Sequence, residues 1–211
     1  ALPDAPQPAL PCWLALPEGV PLAGLPMLYM IAEDAFSAQW EGMLASMGRA
    51  FEKGDCQPFV LAAFASGDWN AEFSPWPAPA LFKKADDFAG DAPNTLAWLR
   101  DTFMPSVEKG GLASTEKEKR YLLGYSLGGL FALWASYESG AFLGCASCSG
   151  SLWYDGWMDY AKAHAMPAGS RVYLSLGDRE GKARNKRMAA VEPVTLEMAK
   201  LLEEDSNVAD T

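Results

Sequence analysis

The sequence predicts a mostly parallel, doubly wound α/β sheet with helices on both faces, and three observations predict it. First, five short apolar runs stand out: "MLYMI" 27–31, "FVLAAF" 59–64, "YLLGY" 121–125, "FLGCASC" 142–148 and "RVYLSLG" 171–177. They are continuously apolar rather than alternating, as strands covered on both faces require. Second, segments with helical spacing lie between most of them. Third, strand and helix patterns alternate along the chain, which points to parallel strands joined by crossover helices.

Each element has its own justification. The proline-rich start, 1–26, leaves room for an edge strand at "CWLALP". After the run 27–31, residues 36–52 carry Phe36, Trp40, Met43, Leu44, Met47 and Phe51 at helical spacing. The run 59–64 is followed by residues 66–90, a long stretch rich in proline and tryptophan; such loops in a compact domain are functional or mobile. Residues 93–108 place Leu96, Leu99, Phe103 and Val107 on one helical face, with Pro105 expected to bend or end that helix. The helix expected after residue 126 is apolar nearly all round (Leu130, Phe131, Leu133, Trp134) and therefore buried. Helix-like segments 155–163 and 183–204 flank the last run.

Composition bounds the function. A chain of 211 residues suits one domain, 1–211, with a large core. Half the residues are hydrophobic and 12% aromatic, which excludes disorder. A formal charge of −10 argues against nucleic-acid and anionic-membrane partners. No apolar run approaches the roughly 18 residues of a membrane helix. The start, "ALPDAPQPALP", begins with alanine and lacks the charged and apolar regions of a signal peptide, so it says little about targeting. Four cysteines are too few for a disulfide scaffold. Cys145 and Cys148 form a CxxC, but no second pair completes a zinc site, so no metal is expected. Reduced thiols on a buried strand favour a reducing, cytoplasmic compartment.

In open α/β sheets, ligands bind beyond the carboxyl ends of the strands. One of those ends is "G-Y-S-L-G", 124–128, which fits the nucleophile-elbow pattern G-x-S-x-G between a strand and a helix. Side chains at 124 or 128 would collide across so sharp a turn. Ser126 is the candidate nucleophile, and the backbone N–H of Leu127 is aimed where an oxyanion would form, aided by the helix dipole. "SLGDREGK" offers Asp178 and Glu180 at the carboxyl end of the strand 171–177; Asp178 is the first candidate for the acid and Glu180 the second. Trp40, Trp69, Trp76 and Trp153 fall on or near carboxyl-end loops and could line an aromatic pocket or simply anchor the loops.

"LPMLYMIAEDAF", "FSPWPAPA", "LLGYSLGGLFAL", "CSGSLWYDGW" and "RVYLSLGDREGKARN", in that order over about residues 13–205, resemble the putative-esterase family of α/β-hydrolases, near the siderophore (enterobactin-type) esterases. The resemblance implies the α/β-hydrolase fold, hydrolysis of carboxylic esters by Ser126 through an acyl-enzyme, a small-molecule ester as partner and no cofactor. It also implies a second oxyanion N–H near Glu33, where this chain reads "AED" in place of the family's glycine-containing turn.

The one histidine, His164, follows a crossover helix and precedes a strand, so it is expected at the sheet end opposite Ser126. Even a short strand, at about 3.3 Å per residue, exceeds hydrogen-bond reach. Family members carry the catalytic histidine in a loop after one more strand. The fold is therefore expected to lack its last strand and helix, and the chain to be C-terminally incomplete and weakly active or inactive. A catalytically impaired binding protein is the alternative, and acyl transfer would use the same residues. Substrate identity and oligomeric state are not legible.

Overall fold

The computed structural model describes residues 11–33, 39–109, 111 and 113–211. The seven apolar or edge segments form one sheet: β1 (Cys12–Ala15), β2 (Met27–Ala32), β3 (Val60–Ala65), β4 (Arg120–Tyr125), β5 (Gly144–Cys148), β6 (Ser170–Ser175) and β7 (Val208–Asp210). Their spatial order is β1-β3-β2-β4-β5-β6-β7, and only β1 runs antiparallel to its neighbour. The edge strand expected at "CWLALP" is β1. A strand expected to be missing is present: β7 pairs in parallel with β6. Its three residues, VAD, carry too little apolar signal to be read as a strand.

Among the described residues eight α-helices connect the strands: α1 (Trp40–Lys53), α2 (Trp69–Glu72), α3 (Ala92–Trp98), α4 (Met104–Glu108), α5 (Leu127–Glu138), α6 (Trp157–Ala163), α7 (Lys186–Ala189) and α8 (Val191–Glu204). Phe36, expected to open the first helix, lies outside the described residues. Pro105 neither ends nor breaks its helix. A π-turn, Leu99–Phe103, links α3 to α4, and the N–H of Met104 bonds the carbonyl of Leu99 five residues back. That shift in register lets a residue without an N–H sit at the start of α4. The expected helix 183–204 is two helices that part at Ala190, and Asn185 caps the first, α7, accepting from the N–H groups of Arg187 (2.9 Å) and Met188 (3.4 Å).

Strand periodicity sorts side chains into two cores. Tyr29, Phe64, Leu122, Cys145 and Val172 face α5, which is buried from Leu127 to Ser136, and the helices beside it. Met30, Leu61 and Ala63 face the other way, toward Trp13, Trp40 and Met43 under α1. The CxxC thus spans the sheet: Cys145 is fully buried, which pushes its thiol up to about 12, while Cys148 is half-buried. No described helix is long and apolar enough to cross a membrane. Because β2 pairs with β3 on one side and β4 on the other, the chain reverses its winding between β2 and β4. A crevice at the carboxyl ends of those strands is where such sheets bind ligands.

Candidate active site

Ser126 sits at that switch point, between the end of β4 and the first residue of α5. Its backbone adopts φ 55°, ψ −123°, a region that costs a non-glycine residue roughly 1–3 kcal/mol. The surroundings hold it there. The Ser126 N–H donates to the Cys148 carbonyl (3.1 Å), and its own carbonyl accepts from Gly129 (3.0 Å), Leu130 (3.1 Å) and Ser151 (2.9 Å). Gly124 has no alternative, since a Cβ there would overlap the Gly128 carbonyl. At Gly128 a Cβ would come within 3.0 Å of Ile31. Leu127 is the first residue of α5, so its N–H has no acceptor within the helix and lies at the positive end of the dipole.

The serine opens into a cleft of about 350 Å³. Its polar lining is Asn70, Ser149, Ser151 and Glu180; its apolar lining includes Trp69, Leu81, Phe88, Trp153, Met188 and Val191. Ser126 Oγ and Ser151 Oγ are 3.3 Å apart. Glu180 Oε1 accepts from Ser149 Oγ (2.6 Å) and from the Gly177 N–H (2.9 Å), which fixes the carboxylate in the wall. Ser149, like Ser126, has positive φ, 46°. Asp178 is exposed and does not line the cleft. Of the two candidate acids, the cleft includes Glu180.

The four tryptophans separate. Trp69 and Trp153 line the cleft. Trp40 does not: it packs on the other face of the sheet, its ring 6.2 Å from that of Trp13. Trp76 anchors loops instead, donating from Nε1 to the Asp155 carbonyl (2.8 Å) and meeting the rings of Tyr154 and Tyr160. Glu33 follows β2 and lines a neighbouring cavity of about 240 Å³ with Ala32, Ser66 and Gly67, and Trp69 is the wall common to both. Residues 34–38, which continue the "AED" turn, lie outside the described residues.

His164 is placed as its position in the crossover requires. It caps the end of α6, where the chain returns to the amino ends of the strands, and its ring stacks on Tyr160 with centroids 4.1 Å apart. Its Nδ1 lies 2.8 Å from the Tyr160 carbonyl. The imidazole is exposed and does not meet Ser126.

One guanidinium braces the apolar wall. Arg187 donates from Nε to Asp155 (2.9 Å) and from Nη1 to the Pro79 carbonyl (2.8 Å), pairs through Nη2 with Asp155 (2.9 Å), and lies 5.6 Å from the Trp153 ring centre. Asn185 adds a bond to the Leu81 carbonyl (3.2 Å). Ser149 and Ser151 stand at a strand end where sequence reasoning expects a site. Leu81, Phe88, Met188 and Arg187 have no motif, because distant segments bring them together.

The family model described as "putative esterase" matches residues 9–208. A protein of Bacillus subtilis (strain 168), named uncharacterized protein YbbA, is 28% identical over 163 residues, covering 76% of this chain and 64% of that protein. The chain thus spans just under two thirds of that relative. An IroE-like serine hydrolase from Shewanella oneidensis superposes with a TM-score of 0.79 at 16% identity, over 95% of this chain and 67% of that one. The siderophore hydrolase EstA from Aspergillus nidulans gives 0.72 at 16% identity, over 98% and 88%. At such identities these structures establish the α/β-hydrolase fold. With its model spanning the Ser126 turn, both candidate acids and nearly all of the sheet, the protein belongs to the putative esterase family.

Proposed function

We propose that the chain is a serine hydrolase of carboxylic esters with Ser126 as nucleophile. The observation that carries this reading is the strained Ser126 backbone at the mouth of a cleft, next to the unpaired N–H groups that start α5. Strain of this kind persists at sites where it serves a mechanism. Ser126 Oγ bonds to the ester carbonyl carbon, and the carbonyl oxygen becomes an oxyanion facing the Leu127 N–H. The Glu33 N–H, one strand away, is the second donor in this reading. The bond to the alcohol oxygen then breaks, and the alcohol leaves with the proton that Ser126 gave up. Water repeats the attack on the acyl-serine and releases the acid. Glu180 supplies the acid because it lines the cleft and is held by Ser149 and Gly177. The likeness to a siderophore hydrolase keeps a siderophore-like ester or lactone among the candidate substrates.

The position of His164 favours a second reading. The imidazole stacks on Tyr160 at the far end of α6 and cannot take the Ser126 proton. These 211 residues are therefore expected to turn over activated esters weakly, and a binding role suits the same cleft. A fluorophosphonate probe decides between the readings. Labelling that vanishes in Ser126→Ala supports the nucleophile; ligand binding without labelling supports the binder. Turnover of p-nitrophenyl acetate at enzyme-like rates by the 211-residue chain would show that the expectation of weak activity is mistaken.

A further inference from the structure

We propose that the Ser126 cleft selects small, uncharged aromatic esters, and that Arg187 is the positioning residue that sets this selectivity by fixing Trp153 as a wall. The substrate class rests on the reading of Ser126 as the ester-cleaving nucleophile; the selectivity of the cleft does not.

The lining carries the first half. Trp69, Phe88, Tyr125 and Trp153 converge on one serine. A volume of about 350 Å³ is near the small end of ligand sites, enough for one ring and a short chain. Aromatic rings favour edge-to-face or offset contact with another ring over contact with a saturated group of equal size. Among the described residues that line the cleft, Glu180 is the one carboxylate, and no lysine or arginine is among them. Arg179, Lys182, Arg184 and Lys186 are exposed, and the acids Asp178 and Glu192 lie along the same stretch. An anionic group entering the cleft would lose water beside a carboxylate, with no cation to replace it.

The brace carries the second half. Trp153 also meets Phe88 at 6.2 Å, so one indole joins the aromatic lining to the guanidinium behind it. Arg187 in turn ties residues 79–80 and Asp155 to α7, whose Met188 lines the same cleft. A planar fork makes these bonds in parallel while lying against an indole; a lysine ammonium cannot. Arg187 touches no ligand space itself. Its effect passes through Trp153 and the loop at 79–81.

Three amide isosteres that resist hydrolysis test this on the whole chain: acetanilide, N-cyclohexylacetamide and 4-acetamidobenzoate. Their dissociation constants are read from tryptophan fluorescence and from indole N–H shifts in NMR spectra. Acetanilide is expected to bind about three- to tenfold more tightly than the saturated ring, the worth of an aromatic pair. It should bind about tenfold or more tightly than the anionic probe, the effect of burying an uncompensated charge. Arg187→Lys should reduce the aromatic preference to less than about twofold and shift the Trp153 resonance, and Trp153→Leu should reduce the preference likewise while leaving the bonds of Arg187 to Asp155 and Pro79 in place. Equal affinity for all three probes, preference for the anion, or no binding by any probe overturns the selectivity. A fall in thermal stability of Arg187→Lys with the aromatic preference intact overturns the positioning role. Fluorophosphonate labelling of Ser126 is scored separately: selective binding without labelling would remove the nucleophile and leave the selectivity standing.

Discussion

At Ser126 the backbone conformation and the chemistry oppose each other. The pair φ 55°, ψ −123° is close to the mirror image of an extended conformation, open to glycine and costly to any residue with a Cβ. Ser126→Gly is therefore expected to be more stable than Ser126→Ala by about 1 kcal/mol, the strain relieved less the extra freedom of glycine when unfolded. Both variants lose the hydroxyl, so only the backbone differs between them. Urea midpoints of the two proteins are the measurement, and equal midpoints would mean that the turn stores no strain. The serine was legible because G-x-S-x-G is largely local chemistry: Gly124 answers to the Gly128 carbonyl within the turn itself, while Gly128 answers to Ile31 on β2. Which carboxylate lines the cleft was not legible, because Asp178 and Glu180 lie in one turn and only the tertiary bonds from Ser149 and Gly177 hold Glu180 in the wall. Trp40 was misplaced for a related reason. Its spacing identified a helix, but not which face of the sheet that helix covers.

Between elements, the amino-terminal half of the sheet is held by a buried polar cluster. Tyr29 on β2 donates to Glu108 on α4 (2.7 Å), and Arg120 on β4 grips the same carboxylate with two bonds, 2.7 and 2.6 Å. The Glu108 side chain is 6% exposed, so it needs both partners. Arg120→Met leaves a buried carboxylate without its cation and is expected to cost about 3–5 kcal/mol. Adding Glu108→Met should recover part of that, since the stranded charge goes with it. Chemical denaturation of the single and double variants checks the order; a single variant losing under about 1 kcal/mol would show the pair to be solvated. The strands joined here were legible as apolar runs because burial on both faces leaves no polar alternation. The cluster itself was not, because Tyr29, Glu108 and Arg120 are ordinary residues until α4 is brought back across β2. The π-turn that lets α4 reach Glu108 past Pro105 was equally hidden, since spacing alone does not reveal a one-residue change of register.

Across the molecule, alkali should be the condition that unfolds it. Burial raises the ionisation of Tyr29, Tyr137, Tyr154 and Tyr160 above the ordinary tyrosine value of 10.0, for Tyr154 to about 12. Bonds to Glu108 and Glu138 push Tyr29 and Tyr160 further in the same direction. A raised value in the folded state means that the unfolded chain releases these protons first. The stability they contribute is complete below pH 10 and falls as pH rises toward each folded value. Tyr29 and Tyr154, exposed by 0% and 2%, dominate the loss. Together they are worth roughly 3–5 kcal/mol by pH 12, a large part of an ordinary domain's stability. Absorbance near 295 nm and far-UV circular dichroism, followed together from pH 9 to 12.5, test this. The absorbance of these tyrosines should rise only as the helical signal collapses, and both should return together on rapid neutralisation if unfolding is reversible. Tyr29→Phe should move the collapse to higher pH relative to its own stability at pH 8, because one proton-linked step has been removed. Ionisation of all the tyrosines near pH 10 with the helical signal intact would show that the core admits solvent to its phenols, and that neither buried ring is sealed by α4, α5 and the loop at 76–88 as the packing requires.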